Sequence, residues 1–356
     1  MKRDTAVLPI PLEWEDIDPE WMTAALGRIH PDAEVAEVTL IMRDDGTNRR
    51  ARIGLTYASG SGPATVFLKK VDPSHVALVE ATSGLFHEPR LFSSGVELPV
   101  DHPLVYTALI DEPMKNWVMV MEDIVARGAD PRDATRPMSA DQAANALRNL
   151  ARLHSRFWGD RGSRDPALDW LAPYNLWPGL GPAIPIALKR LGNMVPPEVH
   201  ELGTAIVDDH WVRFIGTLST SAQTLVHGDA HIGNTYVLPD DDVGFLDWQV
   251  VRRSNWSIDV GYFLQGAITP RDRRANERDL VEEYRSNLDL PASERPSAEE
   301  AWLRYRASVA HGLATWLATA ADDGGWQRPD ISMTLAQRYA AAFVELDSYS
   351  ALEELA

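Results

Sequence analysis

Between His227 and Trp248 the chain sets three oxygen-bearing side chains at spacings that suit a divalent cation. Asn234 stands just before the run Thr235–Leu238, and Asp247 just after the run Val243–Leu246, with Pro239-Asp240-Asp241-Asp242 between the runs. Two short apolar runs around a polar turn predict a β-hairpin. The residues at its open end then lie side by side. A carboxylate beside an amide oxygen is a hard donor pair, suited to Mg²⁺ rather than to a soft metal. Asp229 precedes Asn234 by five residues, close enough for one loop to hold it near the same ion. A carboxylate there can orient a hydroxyl and accept its proton as a phosphoryl group moves. An ordinary Asp titrates near ~3.9, so positioning matters more than basicity. His227 and His231 flank Asp229, which leaves a His/Asp metallohydrolase as competing chemistry; that would need further ligands, and the other eight histidines are scattered.

The elements that must carry these residues divide the chain. Val35–Met42, Ala51–Tyr57 and Thr65–Val71 are strand candidates separated by the turn clusters 43–48 and 59–63, as in an antiparallel meander. Residues 76–94 form a helix candidate weakened by Gly84 and Pro89; Val105–Leu109 and Asn116–Met121 are two more strands. The polar stretch Ala126–Met138 marks the boundary between the lobes. Beyond it Ser139-Ala140-Asp141-Gln142 is a capping box, and Leu147, Leu150, Ala151 and His154 follow on one helical face. His154 reads as a core histidine. Residues 160–200, rich in Pro, Gly and Trp, read as irregular. Ser297–Thr319 and Ser332–Leu352 read as long helices.

The string His227-Gly228-Asp229-x-His231-x-x-Asn234, with Asp247-Trp248, resembles the aminoglycoside phosphotransferase and choline kinase superfamily, which has the protein-kinase-like fold. Within it the sequence is most similar to the ecdysteroid-kinase-like branch. The resemblance implies an α+β, two-lobed protein: a small antiparallel-sheet lobe over residues 1–123 and a larger, mainly helical lobe over 124–356. It implies ATP and Mg²⁺ as cofactors and a small-molecule alcohol as acceptor. Asp229 becomes the base, Asn234 and Asp247 the metal ligands, and His227 a residue that orders the loop. Gly46, Thr47 and Asn48 become the nucleotide-phosphate loop. Lys69 and Glu88, 19 residues apart, resemble the pair that holds the α- and β-phosphates, with Lys70 the other candidate. Met121, Glu122 and Asp123 fall where the family's hinge backbone meets adenine. Asp259 resembles the buried carboxylate that anchors the catalytic loop. Only 11 residues separate Asp247 from Asp259, too few for a peptide-docking activation segment. A pseudokinase scaffold, binding nucleotide without turnover, is a further alternative, and ATP and GTP are not distinguished.

Composition narrows the partners. The 356 residues carry 34 Lys and Arg against 52 Asp and Glu, a net charge of −18. A surface this acidic repels phosphate backbones and anionic membranes, so neither nucleic acid nor a membrane is an expected partner. Cysteine is absent, which excludes disulfides, thiol nucleophiles and Cys-ligated metal sites. No apolar run approaches the ~18 residues of a membrane span. A cytoplasmic location is the expectation. Trp158, Trp170, Trp177, Trp302, Trp316 and Trp326 crowd the second lobe, as core or as the lining of an acceptor pocket.

Overall fold

The computed structural model describes residues 8–159, 165–322 and 327–355. Trp326 therefore lies outside the described residues. The chain forms two compact units. The first gathers residues up to Val96 together with Pro103–Gly128; the second gathers Glu97–His102 together with Ala129 onward. Sequence placed the division at residue 123. The short piece Glu97–His102 joins the second unit through Asp101, whose backbone oxygen accepts from Phe245 N at 3.0 Å and whose carboxylate accepts from the Tyr236 hydroxyl.

The first unit opens with α1 (Pro19–Leu26), started by Asp18, whose carboxylate accepts from Trp21 N at 2.7 Å. An antiparallel sheet follows: β1 (Glu34–Asp45), β2 (Asn48–Ser59), β3 (Thr65–Val71), β4 (Val105–Asp111) and β5 (Asn116–Glu122), in the order β1-β2-β3-β5-β4. The polar residues 43–45, read from sequence as turn, continue β1 instead. Asp44 stands opposite Arg50 and pairs with it at 2.8 Å, so the charged residues prolong the ladder. The helix expected over 76–94 is two helices, α2 (Val76–Thr82) and α3 (His87–Ser93). Gly84, at φ +87, turns the chain between them. Pro89 does not break α3 because it is the third residue, where an N–H would lack an intrahelical acceptor anyway.

Strand alternation gives the sheet two different faces. Val66 and Leu68 pack with Trp14, Trp21, Met22 and Leu26 on one side. Phe67 and Val71 pack with Val79, Leu85 and Trp117 on the other. Lys69 and Lys70 are adjacent on β3, so they must point to opposite faces.

In the second unit β6 (Asp130–Pro131) leads to α4 (Ala140–Arg156), whose capping box is complete: Gln142 N donates to Ser139 Oγ at 3.1 Å, and Ser139 N donates to Gln142 Oε1 at 3.2 Å. Of the stretch 160–200, expected to be irregular, the described residues 165–200 are less so. They include α5 (Ile184–Leu191) and α6 (Pro197–Leu202), each with a proline in its first turn. There proline starts a helix rather than breaking one. Then come α7 (Val212–Thr217), β7 (Thr224–Val226), β8 (Thr235–Val237), β9 (Val243–Phe245), β10 (Arg252–Ser254) and α8 (Ser257–Ala267). The helices α9 (Pro270–Ser286), α10 (Ala298–Ala320), α11 (Pro329–Glu345) and α12 (Ser348–Leu355) complete the unit. The long final helix expected from sequence breaks at Asp347, which sits at φ +47. No helix among the described residues is long and apolar enough to cross a membrane.

Candidate active site

The predicted hairpin is β8–β9, with Thr235 opposite Phe245 and Val237 opposite Val243. One more ladder bond, Leu246 N to Asn234 O at 2.8 Å, sets Asn234 across from Leu246 and next to Asp247. Asp247 holds a left-handed backbone at φ +58, a conformation that Asp tolerates better than most side chains. Asn234 Nδ2 donates to the backbone oxygen of Asp229 at 2.8 Å and to its Oδ2 at 3.0 Å. Both amide donations go to Asp229, which fixes the amide plane and leaves Oδ1 as the oxygen a cation would use. Asp229, Asn234 and Asp247 are thus brought together within the second unit.

The loop from 227 to 234 is held from below. Asp259, in the first turn of α8 and fully buried, accepts from His227 N at 2.7 Å and from Gly228 N at 2.8 Å. Its Oδ2 also lies 3.1 Å from His154 Nε2, and His154 Nδ1 lies 2.8 Å from the Tyr284 hydroxyl. His154 is the core histidine expected, fully buried with both ring nitrogens bonded, and it belongs to the chain of hydrogen bonds under the 227–234 loop. Nothing in the sequence pairs residue 154 with 259 and 284. Tyr174 was likewise missed; its hydroxyl donates to Gly228 O at 3.3 Å.

The ring nitrogens decide between the two chemistries at His227. Nδ1 accepts from Asp229 N at 3.2 Å, so the proton sits on Nε2, which donates to Leu246 O at 2.8 Å. Both nitrogens are committed to backbone, and neither is left for a metal. His231 Nδ1 accepts from Gly233 N at 3.0 Å, and burial lowers its pKa to about 4. His231 is then neutral, and its Nε2 lies 3.9 Å from Asp229 Oδ2, too far for a hydrogen bond. Among the described residues no three His, Asp or Glu side chains gather as a metal-holding group. These contacts weigh against the metallohydrolase reading.

A buried aromatic cluster stands beside the loop. His311 on α10 is fully buried, accepts from Trp211 Nε1 at 3.1 Å and meets the rings of Tyr174, Trp177 and Tyr262. Trp316 is 4% exposed and packs edge-on against His231. Burial lowers the His311 pKa to about 3, so the imidazole stays neutral when folded. In the unfolded chain it protonates below pH ~6.5. Between these values the unfolded state holds the extra proton, so stability must fall as pH drops, by on the order of 1 kcal/mol per pH unit. Denaturant melts at pH 7.5 and pH 5 should show a larger loss for the wild-type protein than for His311→Gln. Equal losses would contradict a neutral folded His311.

The first unit holds the other expected residues. Lys69 and Glu88 form an ion pair at 2.6 Å, 4% and 3% exposed, joining β3 to α3. Lys70 has a different job: its Nζ donates to Pro11 O at 2.8 Å and to Leu12 O, and lies over the Trp14 ring. Gly46 and Thr47 form the tight β1–β2 turn, closed by Gly46 N to Asn48 O at 3.0 Å; Asn48 is buried at the head of β2. Met121 and Glu122 end β5, and Glu122 N donates to Leu104 O at 2.7 Å. The Asp123 carboxylate accepts from Arg52 at 2.6 Å, Thr65 at 2.7 Å and Val125 N at 3.2 Å. That side chain is committed to holding the segment.

Residues 195–292 match the ecdysteroid kinase-like family. The matched ecdysteroid kinase-like segment contains Asp229, Asn234, Asp247 and Asp259. No curated protein matches the chain. Among solved structures, the microcompartment-associated aminopropanol kinase is 16% identical, with a TM-score of 0.52 over 94% of this chain and 99% of its own. A spectinomycin phosphotransferase in complex with ADP and spectinomycin is 12% identical, with a TM-score of 0.50 over 93% and 99%. A choline kinase from Cryptosporidium parvum Iowa II is 10% identical, with a TM-score of 0.50 over 89% and 91%. At these identities the likeness is one of fold, and the fold is the protein-kinase-like α+β fold.

Proposed function

We propose that the protein transfers the γ-phosphoryl group of ATP to a hydroxyl of a small molecule, with Mg²⁺ as cofactor. The observation that carries this reading is the arrangement on one loop and one hairpin of the second unit. A carboxylate, an amide oxygen and a second carboxylate are gathered there, and a buried Asp259 clamps the loop by two backbone N–H groups. Asn234 Oδ1 and Asp247 would hold the cation, which when bound neutralises charge on the phosphates.

The protein's own residues then do three things. Asp229 accepts the acceptor's hydroxyl proton as the oxygen–phosphorus bond forms and the bond to the leaving ADP oxygen breaks. Asn234, locked by its two bonds to Asp229, keeps base and cation ligand in fixed register. In the first unit the Lys69–Glu88 pair presents a buried ammonium for nucleotide phosphate. The short span from Asp247 to Asp259 supports a small acceptor rather than a peptide.

The test is ³¹P detection of phosphorylated product from MgATP and a library of alcohols, with an Asp247→Asn control. That substitution should lower turnover at least ~100-fold and remove the Mg²⁺ dependence of nucleotide binding. An Asp247→Asn protein with unchanged turnover would refute the metal assignment.

A further inference from the structure

We propose that Arg50 is a second phosphate-contacting cation of the nucleotide site, paired with Lys69 across β2 and β3. The inference rests on the nucleotide reading given above and adds a residue that neither the motif nor the family match assigns. Three observations in the first unit carry it.

The first is register. Arg50 lies directly opposite Lys69 in the β2–β3 ladder, and Asp44 lies directly opposite Arg50 in the β1–β2 ladder. Directly opposed residues share a sheet face with Cβ atoms ~5 Å apart. Arg50 therefore stands on the same face as the buried ammonium of Lys69, away from Lys70. The second is the β1–β2 turn. A Cβ built on Gly46 would lie 3.0 Å from the Arg50 Nη2, so the guanidinium folds beneath the Gly46-Thr47 turn. The side chain thus starts opposite Lys69 and ends against that turn. The third is its unfinished bonding. Nη2 pairs with Asp44 at 2.8 Å, while Nε is buried without a hydrogen-bond partner among the described residues and the side chain is 35% exposed.

A guanidinium carries five donors in a planar fork that matches phosphate oxygens. One surface carboxylate uses only part of that fork. In a chain of net charge −18, an anionic triphosphate needs local cations that the bulk surface does not supply. Asp44 keeps the guanidinium in place while the site is empty and competes with phosphate for it when nucleotide arrives. The two residues should therefore act with opposite sign.

Equilibrium binding of MgATP, MgADP and adenosine to the full chain tests this. Arg50→Gln should weaken MgATP and MgADP about tenfold and leave adenosine unchanged, and Arg50→Lys should recover part of the loss. Asp44→Asn should tighten MgATP and MgADP by about threefold, again without effect on adenosine. Both side chains are partly exposed, Asp44 on the edge strand β1, and the Asp44 variant keeps the inference testable if Arg50→Gln folds poorly. Nucleotide affinities unchanged in both variants, or adenosine affected equally, would overturn the role of Arg50 alone. A wild-type protein that binds no nucleotide would overturn the underlying nucleotide reading as well.

Discussion

Replacing Asp229 with alanine should lower kcat by about 10³–10⁴-fold while leaving the affinity for MgATP within about threefold of wild type. The separation of the two effects follows from the hydrogen bonds. Asn234 Nδ2 is held twice, by the Asp229 carboxylate at 3.0 Å and by the Asp229 backbone oxygen at 2.8 Å. Alanine removes only the first. The backbone bond persists, so the amide plane of Asn234 and its free oxygen keep their aim. The loop keeps its floor too, because Asp259 grips the N–H groups of His227 and Gly228 rather than any part of the Asp229 side chain. What is lost is the carboxylate proposed above as the proton acceptor.

Asp229→Asn sharpens the result. It keeps the shape of the side chain and removes the proton acceptor, so it should be as inactive as alanine. Steady-state rates at saturating MgATP, with nucleotide affinity measured separately, check both. Full turnover in either protein would remove Asp229 from the role of base. A parallel loss of nucleotide binding would mean the carboxylate acts on the cation instead.

Much of this was legible in the sequence, for reasons that differ from residue to residue. The hairpin was readable because short apolar runs around Pro239–Asp242 leave few other options, and its register then follows from the turn. Lys69 and Lys70 had to point apart because adjacent strand residues always do; the structure adds that Glu88 meets Lys69 while backbone oxygens of Pro11 and Leu12 meet Lys70. The single helix expected over 76–94 divides at Gly84, the weak point the sequence showed, whereas Pro89 was wrongly counted against it: a proline counts against a helix only beyond its first turn, and a sequence does not say where that turn begins. The prolines of 165–200 were misjudged for the same reason. His154, Tyr174 and Asp101 were invisible as site residues because each acts through a partner far away in sequence. Their side chains are ordinary, and only the packing of α4, α8 and the 97–102 segment gives them a task. Arg50 was not legible either: the strand expected from sequence began at Ala51, and neither the start of β2 at Asn48 nor the extension of the ladder through Asp44 was predicted.

Replacing Gly228 with alanine should be nearly as damaging as removing the base, by a purely steric route. Gly228 has φ +82, where an L residue costs about 1–2 kcal/mol. Worse, a Cβ there would lie 2.1 Å from the backbone oxygen of Val250 and 2.9 Å from its carbonyl carbon. Neither atom belongs to a flexible side chain, so the clash must move the main chain. The atoms that must move are those that hold the 227–234 loop. Gly228 N is one of the two donors that Asp259 accepts, Gly228 O takes the Tyr174 hydroxyl, and Asp229 is the next residue. Val250 itself leads into β10, which pairs with β7 and so fixes where the loop starts. A displacement of even ~1 Å at the reacting group can cost 10²-fold in rate. We therefore expect Gly228→Ala to lose at least ~100-fold in kcat, with a melting temperature lower by several degrees. Nucleotide contacts of the first unit should be spared, since Lys69, Glu88 and the Gly46-Thr47 turn share no element with Gly228. Rate measurements and thermal melts on the same preparation distinguish the outcomes. Near-normal turnover would show that the loop is free to shift, and that the Asp259 clamp does not set the position of Asp229.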